Sequence, residues 1–271
     1  MNTTVYQSTT ERVKVWLDQD ESTLQIQFNN PERHNALSVD MWEAVPPLLA
    51  IAAKDERIRL VVFSGAGEKA FVSGADITQF EDMRAAKEAV ARYEFMAEES
   101  LMSIYNFSKP TLARIRGYCI GGGVNVAMSC DIRIASDDSV FSIPAARLGL
   151  GYRYSALKNL VDLVGPAVAK DLFFTARRIN AKEANTVGLI TRVCEVSALD
   201  ALQAEYQQAL AANAPITVGA GKAIIAEILK PSPDINHEFC RQLIRDCFES
   251  EDYAEGRRAF MEKRKPVFRG K

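Results

Sequence analysis

The run Gly121-Gly122-Gly123 is a candidate for chemistry, because it precedes residues 124–129, whose pattern predicts a helix. Glycine lets a ligand approach the backbone closely. The first N–H groups of a helix have no partner inside it and carry the positive end of its dipole. Together these features suit a phosphate or a developing oxyanion. Taken alone, close packing of the helix against a sheet explains the glycines equally well.

A second glycine pattern, Gly-Ala-Gly-Glu-Lys-Ala at residues 65–70, follows an apolar strand pattern. It matches the loose dinucleotide-binding sequence GxGxxG/A, which requires a helix directly after it. Here Phe-Val-Ser-Gly follows at residues 71–74, which favours a strand and a turn. We therefore interpret residues 65–70 as an ordinary loop.

Acid–base and metal-binding side chains are scarce. His34 and His237 are the two histidines, and the five cysteines form no CxxC pair. This pattern argues against a histidine-rich metal site and against a Ser-His-Asp triad, so no metal is predicted. It favours reduced, buried thiols in a cytoplasmic protein. The cysteines are Cys119, Cys130, Cys194, Cys240 and Cys247.

Composition places the chain among ordinary globular proteins. It has 271 residues, 33 basic and 35 acidic side chains, and a formal net charge of −2. A chain of this length can fold without a disulfide or a metal. The balanced charge argues against a general nucleic-acid binder. No apolar run approaches the ~18 residues of a membrane span, and the polar first ten residues lack a signal-peptide core.

Hydrophobic periodicity predicts strands that alternate with helices. Strand patterns occupy residues 13–17, 24–28, 60–63, 111–115, 131–135 and 189–193. Ser38 is the expected N-cap of an early helix, and a long helical pattern covers residues 78–105. The alternation predicts an α/β layer architecture. We expect an α/β core over residues 1–195 and a helical region over residues 196–271.

Several motifs together resemble one known family. In order, they are NPERHNAL (30–37), AFVSGADI (70–77), GYCIGGG (117–123), SCDIRIAS (129–136) and FMEKRKP (260–266). From about residue 11 to 268, the chain resembles the crotonase superfamily, also called the enoyl-CoA hydratase/isomerase family. The resemblance implies a ClpP-like spiral of ββα turns with a C-terminal helical trimerisation region. It also implies homotrimers or dimers of trimers, and a lyase or isomerase activity in fatty acid metabolism.

The resemblance further implies an acyl-CoA substrate, with coenzyme A entering as part of that substrate and no permanently bound cofactor. Backbone N–H groups of Ala75 and Gly122 occupy the positions that hold the thioester oxygen while an enolate forms. One such donor is typically worth ~3 kcal/mol of transition-state stabilisation.

Two positions depart from the family pattern. Hydratases of this family use two glutamates, whose places are taken here by Asn125 and Ala145. An amide can orient water but cannot take its proton near neutral pH, and a positioned acid or base contributes about 10²–10⁴ in rate. We therefore expect weak or no hydratase activity. Two alternatives stay open, namely a decarboxylase or thioester hydrolase with relocated groups, and a non-catalytic acyl-CoA-binding protein.

The stretch after Ala145 contains side chains that could replace the glutamates. Arg147 or Arg153 could pair with a substrate carboxylate, and Tyr152 or Tyr154 could donate a proton. A purely structural role is the competing interpretation, because a helix is expected to begin at about Ser155.

The resemblance also implies coenzyme A contacts. Those expected from the same subunit are Arg33, Ser73, Asp76, Ile77, Gly121 and Pro144, with Asp76 serving in binding or in helix capping. Phe260 and Lys263 are expected to reach the coenzyme A of a neighbouring subunit. They lie in residues 257–271, where seven basic and one acidic side chain give +6 and leave −8 for the other 256 residues. A solvated helix face is the competing explanation.

Overall fold

The computed structural model describes residues 6–76 and 83–271, with side chains from residue 87 onward in the second range. The described strands are β1 Val13–Leu17, β2 Thr23–Phe28, β3 Leu60–Gly65, β4 Ala70–Val72, β5 Thr111–Ile115, β6 Tyr118–Ile120, β7 Ile132–Ser136, β8 Val140–Ser142, β9 Ile179–Asn180 and β10 Arg192–Cys194. The described helices are α1 Val39–Lys54, α2 Met83–Tyr105, α3 Gly122–Ser129, α4 Ala145–Leu148, α5 Tyr154–Thr175, α6 Ala181–Thr186, α7 Leu199–Ala212, α8 Pro215–Ile228, α9 His237–Glu249 and α10 Glu251–Met261.

Two sheets share these strands. The larger has the order β1-β2-β3-β5-β7-β10 and the smaller the order β4-β6-β8-β9. From β3 to β8, successive strands alternate between the two sheets, and a helix follows each pair. The repeating unit is therefore a ββα turn, as predicted. Pairing from β2 through β10 in the larger sheet is parallel, which buries both faces and explains why β3 begins with four apolar residues.

The main core lies where α1, α2 and α3 cover the sheets. Trp42 of α1 and Phe28, Phe63, Phe71 and Phe141 of the strands are each at most 2% exposed. Phe28 stacks against Phe63 and meets Phe71 edge-on, with ring centroids 6.3 Å apart in both pairs. These aromatic contacts hold the two sheets together, and so they fix the loops that connect one sheet to the other.

Most predicted elements are confirmed, and one predicted strand needs correction. The strand expected at 189–193 is Arg192–Cys194, because residues 187–190 form the turn after α6. Ser38 occupies the N-cap of α1, but its hydroxyl bonds the Asp40 carboxylate (2.5 Å) and caps no backbone N–H. The helix expected over 78–105 is observed from Met83, and residues 77–82 lie outside the described part. Strands β6, β8 and β9 were not predicted from the sequence, because they have only two or three residues each.

The loop interpretation of residues 65–70 is confirmed, since β3 ends at Gly65 and β4 begins at Ala70. β10 is the last strand before residues 195–271, all of which are described and whose regular elements are helical. The division at residue 195 remains a prediction. No single described helix has the length and apolar character to cross a membrane. Two consecutive helical segments, Val196–Ala212 and Pro215–Ile228, are together long and apolar enough to cross a membrane, by length and composition alone. They are bent by 107° relative to each other.

Candidate active site

The three glycines at the start of α3 differ in what the structure requires of each position. Gly121 has φ +52°, a conformation that L side chains rarely adopt. A Cβ atom at Gly123 would lie 2.3 Å from the Val72 carbonyl oxygen of β4. A Cβ atom at Gly122 would meet nothing closer than 3.8 Å. Close packing therefore accounts for Gly123, and backbone conformation for Gly121, whereas neither accounts for Gly122.

Two backbone N–H groups approach each other beside these glycines. Leu37 N–H donates to the Gly74 carbonyl and Asp76 N–H donates to the Leu37 carbonyl, both at 2.8 Å. This parallel bridge turns the Ala75 N–H away from Leu37. A Cβ atom at Gly122 would lie 3.8 Å from the Gly74 carbonyl carbon, so the Gly74–Ala75 peptide borders the start of α3.

Neither the Ala75 N–H nor the Gly122 N–H donates to any acceptor within residues 6–76 and 83–271. Gly122 is the first residue of α3, where the helix dipole adds positive potential. Ala75 and Gly122 are both partly exposed, so a ligand can reach this part of the backbone. The arrangement can hold a carbonyl oxygen that becomes negatively charged.

Asn125 lies one turn further along α3, on the same side as Gly122. It is 7% exposed, and Ala145, the first residue of α4, is 4% exposed. Neither side chain titrates. The Tyr152 hydroxyl donates to Asn125 Oδ1 at 2.6 Å, which joins two of the residues singled out from the sequence.

Tyr152 is held between the core and α5. Its ring meets Phe173 edge-on, with centroids 5.3 Å apart. Burial raises the pKa of the Tyr152 phenol well above its usual value, and the Asn125 hydrogen bond opposes this only partly. The phenol therefore stays protonated through the physiological range, where it acts as a neutral donor.

The other three candidates, Arg147, Arg153 and Tyr154, either bond residues away from Asn125 or are exposed. Arg153 pairs with Glu94 (2.5 Å) and Glu98 (3.6 Å) of α2. The Arg147 guanidinium is exposed and donates to the Thr175 carbonyl at the end of α5 (3.3 Å). Tyr154 is 81% exposed. Of these four candidates, Tyr152 is the one that bonds the Asn125 side chain.

The residues expected to contact coenzyme A fall into two places. Arg33 pairs with the buried Asp76 carboxylate (3.1 Å), and Ser73 Oγ donates to the Arg33 carbonyl (3.2 Å). Pro144 borders Gly121, since its Cδ would lie 3.8 Å from a Cβ atom there. Ile77 lies outside the described residues.

Phe260 and Lys263 lie in the C-terminal region instead. Phe260 is 82% exposed and lines a cavity of about 1070 Å³ formed by α8, α9, α10 and the chain end. This cavity contains none of the residues around α3.

Part of the positive charge of residues 257–271 is neutralised locally. Arg258 and Arg264 both contact Glu255, and the Arg264 guanidinium holds the pKa of that carboxylate well below its usual value. The Asp252 carboxylate accepts the backbone N–H groups of Arg269 and Gly270, which folds the chain end back onto α10.

Sequence reasoning missed two aromatic residues beside the glycines. Trp42 Cζ2 would lie 3.8 Å from a Cβ atom at Gly122, and the Tyr93 ring meets Trp42 edge-on at 6.3 Å. Burial raises the pKa of Tyr93 to about 12. The helical pattern placed both residues on helices, but their approach depends on how α1 packs against α2, which periodicity does not reveal.

The two sheets, with strands that alternate between them, define a class of α/β proteins built from ββα turns. The sequence profile described as enoyl-CoA hydratase/isomerase matches residues 18–271. A short-chain-enoyl-CoA hydratase from Clostridium acetobutylicum is 33% identical over 251 residues, with 93% of this chain and 95% of that protein covered. A peroxisomal Delta(3,5)-Delta(2,4)-dienoyl-CoA isomerase from Arabidopsis thaliana is 30% identical, with 92% and 93% covered.

Solved structures agree with this result. An enoyl-CoA hydratase/carnithine racemase from Magnetospirillum magneticum superposes with a TM-score of 0.91 at 32% identity, covering 97% of each chain. An enoyl-CoA hydratase/isomerase family protein from Hyphomonas neptunium gives 0.90 at 35% identity, covering 98% of this chain and all of that one. The chain belongs to the enoyl-CoA hydratase/isomerase family of the crotonase superfamily, and its relatives are named as hydratases and isomerases.

Proposed function

We propose that this protein processes acyl-CoA thioesters by stabilising a thioester enolate between the N–H groups of Ala75 and Gly122. The observation that carries the proposal is the pair of adjacent backbone donors without protein acceptors in the described residues. Each donor supplies on the order of 3 kcal/mol when charge develops on the oxygen. The positions expected for the two glutamates hold Asn125 and Ala145, so efficient hydration is not expected.

Hydration of crotonyl-CoA, followed by its absorbance, tests both parts. We expect turnover at least about 10²-fold below that of a family hydratase assayed in parallel, because a positioned acid or base contributes about 10²–10⁴. The double variant Asn125→Glu with Ala145→Glu should raise the rate. Full hydratase turnover by the unchanged protein would overturn the expectation drawn from Asn125 and Ala145.

A decarboxylase or thioester hydrolase with relocated groups is the second candidate. The neutral Tyr152 phenol on Asn125 favours it, because a decarboxylase generates the enolate without a base and then needs a proton donor. Turnover of malonyl-type thioesters, or thiol release from saturated ones, would support it. Binding of esters without any turnover would support the third candidate, a non-catalytic acyl-CoA-binding protein.

Coenzyme A would enter as part of the substrate. The proposed contacts in one subunit are Arg33, Ser73, Asp76, Ile77, Gly121 and Pro144, and those from a neighbouring subunit are Phe260 and Lys263.

A homotrimer or a dimer of trimers in the cytoplasm is proposed, without nucleic acid or membrane as partner. The C-terminal helices support self-association, because they expose a contiguous set of large apolar side chains. These are Phe239, Ile244, Phe248, Tyr253, Phe260 and Met261. Light scattering on a sizing column measures the assembly.

A further inference from the structure

The side chain of Asn125 leaves its amide nitrogen, rather than its oxygen, available to a ligand. Its Oδ1 is occupied by the Tyr152 hydroxyl. The reverse amide orientation would leave that hydroxyl proton without an acceptor among the described residues. Because burial keeps the phenol protonated, the observed orientation is the one that uses both groups.

The Asn125 Nδ2 group has no acceptor within the part of the chain that the structure describes, although the residue is more than nine-tenths buried. The fully buried side-chain polar atoms without a partner in that part are Thr23 Oγ1, Trp42 Nε1, Ser100 Oγ and Arg116 Nε. Asn125 Nδ2 is not among them, so it faces accessible space. A buried amide with a free donor favours a ligand that supplies an acceptor.

Local charge selects the kind of acceptor. Among the described residues, Arg153 and Glu94 act electrostatically on Tyr152, and Arg153 also pairs with Glu98, so that these three side chains sum to −1. This net negative charge would repel an anionic acyl group, whereas it would not repel a neutral oxygen acceptor. Asn125 lies one helical turn from the Gly122 N–H, so a ligand oxygen near Nδ2 belongs to an atom close to the thioester carbon.

We infer that the acyl group carries a neutral oxygen acceptor on its β-carbon, with 3-oxoacyl thioesters as the preferred class. The Gly122 and Ala75 N–H groups hold the thioester oxygen, and Asn125 Nδ2 donates to the β-oxygen. The inference rests on the proposed function, since it uses the same oxyanion site.

Calorimetric binding of three thioesters tests the inference. Acetoacetyl-CoA and butyryl-CoA have matched four-carbon chains that differ in the β-carbonyl, and malonyl-CoA carries a charged oxygen instead. We expect acetoacetyl-CoA to bind about tenfold more tightly than either of the others, the gain of one well-placed hydrogen bond in a buried site.

Variants assign the preference to Asn125. Asn125→Asp keeps the shape but replaces the donor with a charged acceptor, and it should remove the tenfold preference while butyryl-CoA still binds. Asn125→Ala should do the same without added charge. Asn159→Asp is a matched control, because Asn159 borders the same small cavity as Asn125 but does not bond Tyr152.

The outcomes separate the two proposals. Equal binding of butyryl-CoA and acetoacetyl-CoA overturns the inference and leaves the proposed function standing, and so does a preference that survives both Asn125 variants. Tightest binding of malonyl-CoA overturns the choice of a neutral oxygen. Failure of every thioester to bind overturns the proposed function itself.

Discussion

Two neighbouring regions at α3 are built in different ways. Beside its first residue, Gly122 and Ala75 carry backbone N–H groups whose positions are set by the Leu37–Ala75 bridge and by the contact of Gly123 with β4. One turn later, Asn125 and Tyr152 offer side chains that carry no charge at neutral pH. A substitution can change the second region without moving the first. Under the proposed function, the fold can therefore keep its oxyanion site while the proton-transfer chemistry changes.

The largest expected effect is on stability. It distinguishes Gly123, which close packing requires, from Gly122, which close packing does not require. Gly123→Ala places a Cβ atom 2.3 Å from the Val72 carbonyl oxygen, so the backbone must move. We expect a loss of about 3 kcal/mol or more in the free energy of unfolding, measured by urea denaturation. Gly122→Ala is the matched control, because its Cβ has 3.8 Å of room, and it should cost less than about 1 kcal/mol. Equal losses would contradict the steric distinction.

The backbone-built region was the more predictable of the two. The alternation of strands and helices, and the helix after Gly121-Gly122-Gly123, followed from periodicity because each pattern is local. The partner of Tyr152 did not, because its bond to Asn125 joins residues 27 positions apart and depends on how α5 packs against α3. Arg153 was one of two arginines considered for a substrate carboxylate, with a structural role as the alternative. Its pairing with Glu94 depends on the approach of α2, which periodicity does not reveal.

The carboxylate of Asp55, unlike the uncharged side chains of Asn125 and Tyr152, should make the stability of the protein depend on pH. The Arg57 guanidinium and the Tyr6 hydroxyl bond Asp55 and lower the pKa of its carboxyl to about 2. Its folded pKa is depressed, so this stabilisation is complete above the ordinary value near 3.8 and is lost as pH falls through about 2. The contribution is at most about 2 kcal/mol. Unfolding measured from pH 5 to pH 2 should lose this stability in the unchanged protein, and Asp55→Asn should flatten that part of the curve.

Ligand binding should depend on pH much less than this part of the stability does. Asn125 and Ala145 do not titrate, and the pKa of Tyr152 is raised further above neutrality by burial. The affinity for butyryl-CoA should therefore vary less than about threefold between pH 7 and pH 9, above the second pKa of a phosphate monoester, which is about 6. A steep change within that range would reveal a titrating group at the site and would break the contrast.

Removing the Tyr152 hydroxyl tests how far the two regions are independent. Tyr152→Phe leaves Asn125 Oδ1 without its donor while it keeps the ring contact with Phe173. We expect a loss of about 1 kcal/mol in the free energy of unfolding, measured by urea denaturation. Binding of butyryl-CoA should change less than about twofold, because the Ala75 and Gly122 donors are untouched. A collapse of butyryl-CoA binding would show that the two regions act as one unit.

The smallest expected effect concerns the ion pairs that tie α2 to the start of α5. Glu94 is half exposed where it meets Arg153, so solvent screens the pair and Glu94→Gln should cost no more than about 0.5 kcal/mol of unfolding free energy. The same change removes one negative charge beside Tyr152 and moves the local balance from −1 to zero. Malonyl-CoA binding should then improve slightly relative to acetoacetyl-CoA. Arg92→Gln is a control, because it breaks an exposed pair between α2 and α1 instead. A relative gain for malonyl-CoA in the Glu94 variant alone would tie ligand choice to the charge around Tyr152, and equal responses in both variants would remove that link.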